Sequence, residues 1–274
     1  MNNAICVDVD DLYWSLKEAN KTFRNDSYFV DKEVSEVLDY FLSKNIKATL
    51  FIPGIFCKNS SHIIKRMSNE GHQVASHGTI HQAVKHHTQE EFYEDVTANK
   101  KILEDIIGKS VDIYKAPMWS LDKNTPWAYD VLLKAGFKID HSAMPRFKNY
   151  LGYSAERIKP FKYKGSLLVI PPTVFPISKS IAVPICGGFY NAYMPIFFQK
   201  NYFHSINNNL NLPYNYYFHP FEVFPHIENR KFFKRQGLYA TLYAAHAGRH
   251  KKILDSLIKE FSFTSLTEAY KRFI

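Results

Sequence analysis

What most constrains this chain is a repeated alternation of short apolar runs with stretches whose apolar residues recur at helical spacing. Residues 3–9 form the first apolar run and end in Asp8-Val9-Asp10-Asp11. Val34, Val37, Leu38, Phe41 and Leu42 mark a helix over 31–44, and 47–52 reads as a strand stopped by Pro53-Gly54. A helix over 59–70 closes at Gly71, and a strand over 72–75 leads into Ser76-His77-Gly78-Thr79-Ile80-His81. Thr88-Gln89-Glu90-Glu91 is a capping box, and its helix runs to 107 before Gly108. A strand over 111–115, a helix over 122–135 and a strand over 137–139 follow. This order sets parallel strands side by side with helices outside. The expected fold is α/β, a single distorted (β/α) barrel.

The second half is less regular. Residues 143–213 hold a strand at 167–170, then Pro171-Pro172 and a stretch rich in Pro, Ser and Gly up to Gly187-Gly188-Phe189-Tyr190, expected to be in part an irregular insertion on the substrate side. An aromatic strand over 214–218 ends at His219, and a basic amphipathic helix over 245–260, a strand over 261–264 and a helix over 265–273 close the chain. With no repeat, low-complexity tract or linker, residues 1–274 are expected to form one domain.

At 46% hydrophobic and 22% charged residues, the composition excludes a disordered chain. Lys and Arg, 35 against 26 Asp and Glu, favour anionic partners. These basic residues are scattered and carry no nucleic-acid-binding signature, so a solvated basic surface is the first reading, a phosphate-bearing or membrane-linked substrate the second, and nucleic acid the last. Three widely spaced cysteines, Cys6, Cys57 and Cys186, are expected to be buried, reduced thiols. No signal peptide or membrane span is legible, so a cytoplasmic location is expected, with peripheral membrane contact and a homo-oligomer left open.

Chemistry concentrates where strands end. His77 and His81 stand four apart, and one helical turn would place both imidazoles on the same face. Asp8 and Asp10 point to the same side if the strand continues through them, and acids so close need a cation or a solvated turn. Asp8 to Asp11, His77, His81, Lys115, Asp140 and His219 all fall just after expected strands, the end of a barrel where active sites form. One carboxylate and two imidazoles make an open metal site of the kind that serves amide or ester hydrolysis. A second aspartate as base and a histidine as acid complete such a site, and Asp8 and His219 fit these roles. Asp140 either tunes His219 or holds a turn; Trp119 either walls a sugar site or packs in the core. His86, His87, His246 and His250 read as solvated surface.

These motifs resemble the NodB-type polysaccharide deacetylases, carbohydrate esterase family 4. Val7-Asp8-Val9-Asp10-Asp11 is similar to the family's first motif, Ser76-His77-Gly78-Thr79-Ile80-His81 to its second, Lys115-Ala116-Pro117-Met118-Trp119 to its third and Phe218-His219-Pro220 to its late histidine motif. Gly187-Gly188-Phe189-Tyr190, the run from Phe218 to Glu222 and the segment from Phe261 to Tyr270 resemble a cytoplasmic subgroup associated with exopolysaccharide and lipopolysaccharide assembly. The resemblance implies metal-dependent N-deacetylation of an amino sugar, free or linked to a nucleotide or a polyprenyl phosphate. His77, His81 and Asp10 would be ligands, with Asp11 the rival to Asp10, and Asp8 and His219 the base and acid. Zinc is the default metal, and cobalt, nickel or manganese suit the same donors. Hydrolysis of another amide, such as a formamido sugar or a cyclic ureide, or glycan binding by an inactive barrel are the alternatives. Lys115 departs from the arginine that usually braces the base, keeping the charge and losing the fork.

Overall fold

The computed structural model describes residues 1–10, 28–144, 159–176, 178, 182–225 and 248–274. Strand β1 (Asn2–Asp8) is buried from Asn3 onward and forms the centre of the fold. Its neighbours run parallel to it, β2 (Thr49–Ile52) on one side and β10 (Asn215–Phe218) on the other. Outward from β2 come β3 (Gln73–Ser76), β4 (Ile113–Tyr114), β5 (Ile139–Asp140), β7 (Leu167–Val169) and the antiparallel edge β6 (Phe161–Tyr163). A further strand, β11 (Ser262–Thr264), pairs with the start of β1, and β8 (Val174–Pro176) and β9 (Ala182–Pro184) form a separate hairpin. Among the described residues no ladder joins β10 to β6, so the sheet curls without closing. The expected distorted barrel is thus an open one.

Helices cover the outside: α1 (Tyr28–Lys44), α2 (Gly54–Asn69), α3 (Gln89–Ile107), α4 (Ala128–Lys134), α5 (Gly188–Tyr193), α6 (Ile196–Asn209), α7 (Pro220–Val223), α8 (Arg249–Ile258) and α9 (Leu266–Ala269). Val34, Val37, Leu38 and Phe41 of α1 face a core shared with β1, β2, β10 and α8. The capping box of α3 is present, with Thr88 Oγ1 accepting from Glu91 N at 3.2 Å and Glu91 Oε2 from Thr88 N at 2.8 Å. Two helices differ from expectation. α2 begins five residues early and kinks at Ser60, whose hydroxyl donates to Asp31. α4 begins only at Ala128, because Asp122 folds into a turn (Asn124 N to Asp122 Oδ1, 2.8 Å) and Pro126 follows it. All three cysteines are buried and none is in a disulfide.

In 143–213 the structure places β6 to β9, α5 and α6, more order than the sequence suggests. Gly187 is what brings α5 against the sheet. It bridges Tyr217 at φ +147, and a Cβ there would lie 1.8 Å from the Tyr217 carbonyl oxygen. Only glycine permits that approach.

Candidate metal centre and the groups around it

The C-terminal ends of β1, β3, β4, β5 and β10 deliver the chemistry to one end of the sheet. Asp8 ends β1, and Val9 N donates to Phe51 O at 2.9 Å, which holds the chain extended so that Asp10 falls on the same side. Both carboxylates are buried, at 4% and 2% exposure. His77 follows β3, and its ring Nδ1 lies 2.7 Å from the Lys115 carbonyl. A carbonyl can only accept, so Nδ1 carries the proton and the Nε2 lone pair is left to face Asp10.

His81 reaches the same carboxylate by a route other than the expected helical turn. Residues 77–83 are loop, Gly78 sits at φ +74 and His81 at φ +51. The loop is fastened from two sides. Gly54 N and Ile55 N at the start of α2 donate to Gly78 O (2.9 Å) and Thr79 O (2.8 Å). Asp95 of α3 accepts from Thr79 N at 2.9 Å and its backbone carbonyl from Thr79 Oγ1 at 2.6 Å. One turn further along α3, Asn99 donates to Ile52 O and Ser76 Oγ, each at 2.9 Å, and ties the ends of β2 and β3. Asp95 and Asn99 were legible only as polar residues four apart on an otherwise apolar helix face.

The result is a compact donor set. Asp10 Oδ2 lies 3.6 Å from His77 Nε2 and 2.5 Å from His81 Nε2, and one ligand atom from each residue falls within 4.8 Å of the others. Burial would raise the Asp10 carboxyl, but the His81 and His219 imidazoles beside it hold it well below the usual carboxylate range. Burial lowers His77, keeping it neutral and fit to ligate. Asp8 Oδ1 and His81 Nδ1 are buried without a hydrogen-bond partner among the described residues. One carboxylate and two imidazoles are the donors of an open divalent metal site, and these residues fit one. Asp11 lies outside the described residues; Asp10 is the aspartate found against both histidines.

Lys115 ends β4, is 1% exposed, and its ammonium binds Asp8 Oδ2. Aromatic faces enclose it: the ring centres of Trp119, Tyr217 and Phe51 lie 3.8, 4.4 and 5.3 Å from Nζ. Trp119 reaches this place through two consecutive left-handed residues, Met118 and Trp119, both at φ +55. It packs edge-on against His141 and Tyr217. Trp119 thus packs in the core, with Met144, Val174, Ala182 and Cys186, as one of its two sequence readings had it, and its face also walls the Lys115 enclosure.

His219 ends β10 on the far side of Asp10. Its Nε2 lies 3.3 Å from Asp10 Oδ1 and 4.0 Å from Asp8 Oδ2. Burial would depress His219, but the Asp10 and Glu222 carboxylates raise it to about 9. The expectation that Asp140 tunes His219 gives way to its alternative. Asp140 is enclosed in a turn of its own, Oδ1 accepting from Ser142 Oγ at 2.5 Å and Oδ2 from Ser142 N at 3.1 Å. The carboxylate at His219 is instead Glu222, 3.3 Å from Nδ1.

Burial raises Asp140 to about 7, against an ordinary 3.8. A carboxyl that binds its proton more tightly when folded favours the folded state at low pH and loses that contribution as pH rises from about 4 to about 7. Asp140→Asn should therefore gain thermal stability relative to the parent at pH 8 compared with pH 5. A constant difference in melting temperature between the two proteins across that range would show that Asp140 ionises in the fold without penalty.

Residues 18–139 match the polysaccharide deacetylase family model. Over this stretch, under half of the chain, the sequence is similar to that family. His77, His81, Lys115 and Trp119 lie inside this match, while Asp8 and Asp10 precede it. His219 lies in a second match, residues 141–271, to a domain of unknown function, so the site draws on residues outside the deacetylase match. Among curated proteins, the chain is 31% identical over 111 residues to a peptidoglycan deacetylase of Helicobacter pylori, covering 40% of this chain and 37% of that protein. It is 27% identical over 108 residues to a peptidoglycan-N-acetylglucosamine deacetylase of Bacillus cereus, covering 39% and 40%. It is 29% identical over 82 residues to the peptidoglycan-N-acetylmuramic acid deacetylase PdaA of Bacillus subtilis, covering 30% and 31%. The chain thus spans well under half the length of these relatives. The solved structure of a candidate polysaccharide deacetylase from Mycobacterium smegmatis superposes with a TM-score of 0.63 at 18% identity, covering 98% of this chain and 88% of that one, and shares the fold. One correction falls outside this machinery: His250, read as solvated, is 2% exposed. No helix among the described residues is long and apolar enough to cross a membrane.

Proposed function

We propose that this protein is a metal-dependent hydrolase that removes the acetyl group from an N-acetylated amino sugar. The observation that carries the reading is the buried trio Asp10, His77 and His81, flanked by a lysine-bound aspartate and a histidine near its opposite side. A divalent ion in that trio, zinc by default, would acidify water and polarise the amide carbonyl. Asp8, fixed by Lys115, is placed to take the proton of the attacking water. His219 is placed to return a proton to the nitrogen as the C–N bond breaks, giving acetate and a free amine. The relatives named above act on acetylated sugars of peptidoglycan, which supports this substrate class.

The excess of basic residues supports a phosphate-linked acceptor in the cytoplasm, a sugar nucleotide or a polyprenyl-phosphate sugar used in surface-glycan assembly. The test is release of acetate with matching appearance of primary amine, from free, nucleotide-linked and lipid-phosphate-linked N-acetylated sugars. Turnover that prefers a phosphate-linked sugar and weakens with salt is expected. Release of formate or opening of a ureide, with acetylated sugars untouched, would replace the reading.

A further inference from the structure

The end of the sheet that carries the metal centre also carries exposed apolar side chains that the chemistry above does not use. Phe197, at 69% exposure, is the most exposed large apolar residue among the described residues, and Tyr190 and Tyr193 of α5 are exposed just before it, at 47% and 41%. α5 starts at Gly187 and Gly188, which pack on Tyr217 two residues before His219. α6 runs about 20 Å away from that end, since Asn207 near its close donates to Asn3 Oδ1 at the start of β1 at 2.8 Å, and Phe197 is in its first turn. α8 packs against α5 and α6 and runs the same way, because β11, which follows it, pairs with the start of β1. Its first turn therefore presents Arg249 and Lys252 at the site end, both exposed. Lys251 between them is taken by Asp255 at 2.8 Å. Ile80, next to His81, and Met118, next to Trp119, are exposed on the loops after β3 and β4 at the same end.

Aromatic rings held in water beside unpaired-sign cations suit a partner with an apolar layer under an anionic face. A second copy of the chain would set Arg249 and Lys252 against another net charge of +9, whereas an anionic bilayer turns the same charge into attraction. We propose that this face docks on an anionic lipid bilayer, with Phe197, Tyr193 and Tyr190 entering the headgroup layer while Arg249 and Lys252 meet lipid phosphates. Docking itself does not need the deacetylase reading. Its use, bringing a sugar carried on a lipid phosphate to the metal centre, rests on that reading.

Co-sedimentation of the full chain with vesicles of phosphatidylcholine, alone or with about one third phosphatidylglycerol, tests this. The parent should pellet with the mixed vesicles at low salt, stay largely in solution with phosphatidylcholine alone, and lose binding as salt rises. The double variants Phe197→Ser/Tyr193→Ser and Arg249→Gln/Lys252→Gln should each weaken partitioning by about tenfold, with melting temperatures close to that of the parent. Leu42→Ser removes a side chain of comparable exposure, 60%, near the end of α1 and so at the opposite end of the sheet, and should bind as the parent does. A parent that stays in solution with the mixed vesicles overturns the proposal, as does unchanged partitioning in Phe197→Ser/Tyr193→Ser. A dimer in sedimentation velocity that Phe197→Ser dissolves would give the face to a second copy and overturn it too. No sugar enters these measurements, so failure of docking and failure of the deacetylase reading are told apart.

Discussion

Asp8→Asn should lower kcat by about 10²–10⁴-fold, the range general-base catalysis supplies, while leaving bound metal close to that of the parent; its melting temperature should fall, because the buried Lys115 loses its counter-charge. The expectation follows from two neighbouring carboxylates with different partners. Asp10 is committed to His77 and His81, whereas Asp8 is bound through one oxygen to Lys115 and keeps Oδ1 without a hydrogen-bond partner among the described residues. That second oxygen is the one able to receive a proton. Asparagine fills the same volume and cannot act as a base. Kinetics with parallel elemental analysis separate the aspartates: Asp8→Asn should lose rate and keep metal, and Asp10→Asn should lose both. Loss of metal in Asp8→Asn with retention in Asp10→Asn would reverse the two assignments.

Lys115→Arg should be damaging, although arginine is the residue usual at this position in the family the motifs resemble. The Lys115 ammonium is sealed between Asp8 and the faces of Trp119, Tyr217 and Phe51. A guanidinium is wider and flatter than an ammonium, and its fork seeks both oxygens of one carboxylate. To admit it, Trp119 must leave a position held by two left-handed residues, or Tyr217 must move against Gly187 and Gly188. Overfilling of this kind costs about 1–3 kcal/mol, and borne by the alignment of Asp8 it corresponds to about 10–100-fold in kcat at 1.4 kcal/mol per tenfold. Kinetic constants for Lys115→Arg, Lys115→Met and Trp119→Phe test this, with Lys115→Met expected to be the worst because it leaves Asp8 buried without its counter-charge. Wild-type rates in Lys115→Arg would show that the enclosure is incidental and the site generic.

Much of the site was legible because barrels place chemistry after strands, so Asp8, Asp10, His77, Lys115 and His219 could be gathered from the ends of apolar runs. What failed was local geometry decided elsewhere in the chain. The His77–His81 spacing suggested a helical turn, but contacts from α2 and Asp95 draw the segment into a loop that no residue within it announces. Asp140 stands after a strand like the others, yet Ser142, two residues on, captures its carboxylate. His250 sits among Arg249, Lys251 and Lys252, a pattern that reads as solvent-facing, and its burial depends on Tyr216 and Glu222 from a distant segment. The fold was more transparent than the site's support, since alternating apolar periodicity is a property of single elements and second partners are not.

The most direct measurement is metal content per chain, by elemental analysis of the purified protein and of its His77→Ala/His81→Ala double variant, each before and after incubation with zinc and removal of the excess. The account predicts about one equivalent of divalent metal in the parent and none in the double variant. A parent that binds no metal after zinc addition, or a double variant that retains the full equivalent, would contradict it.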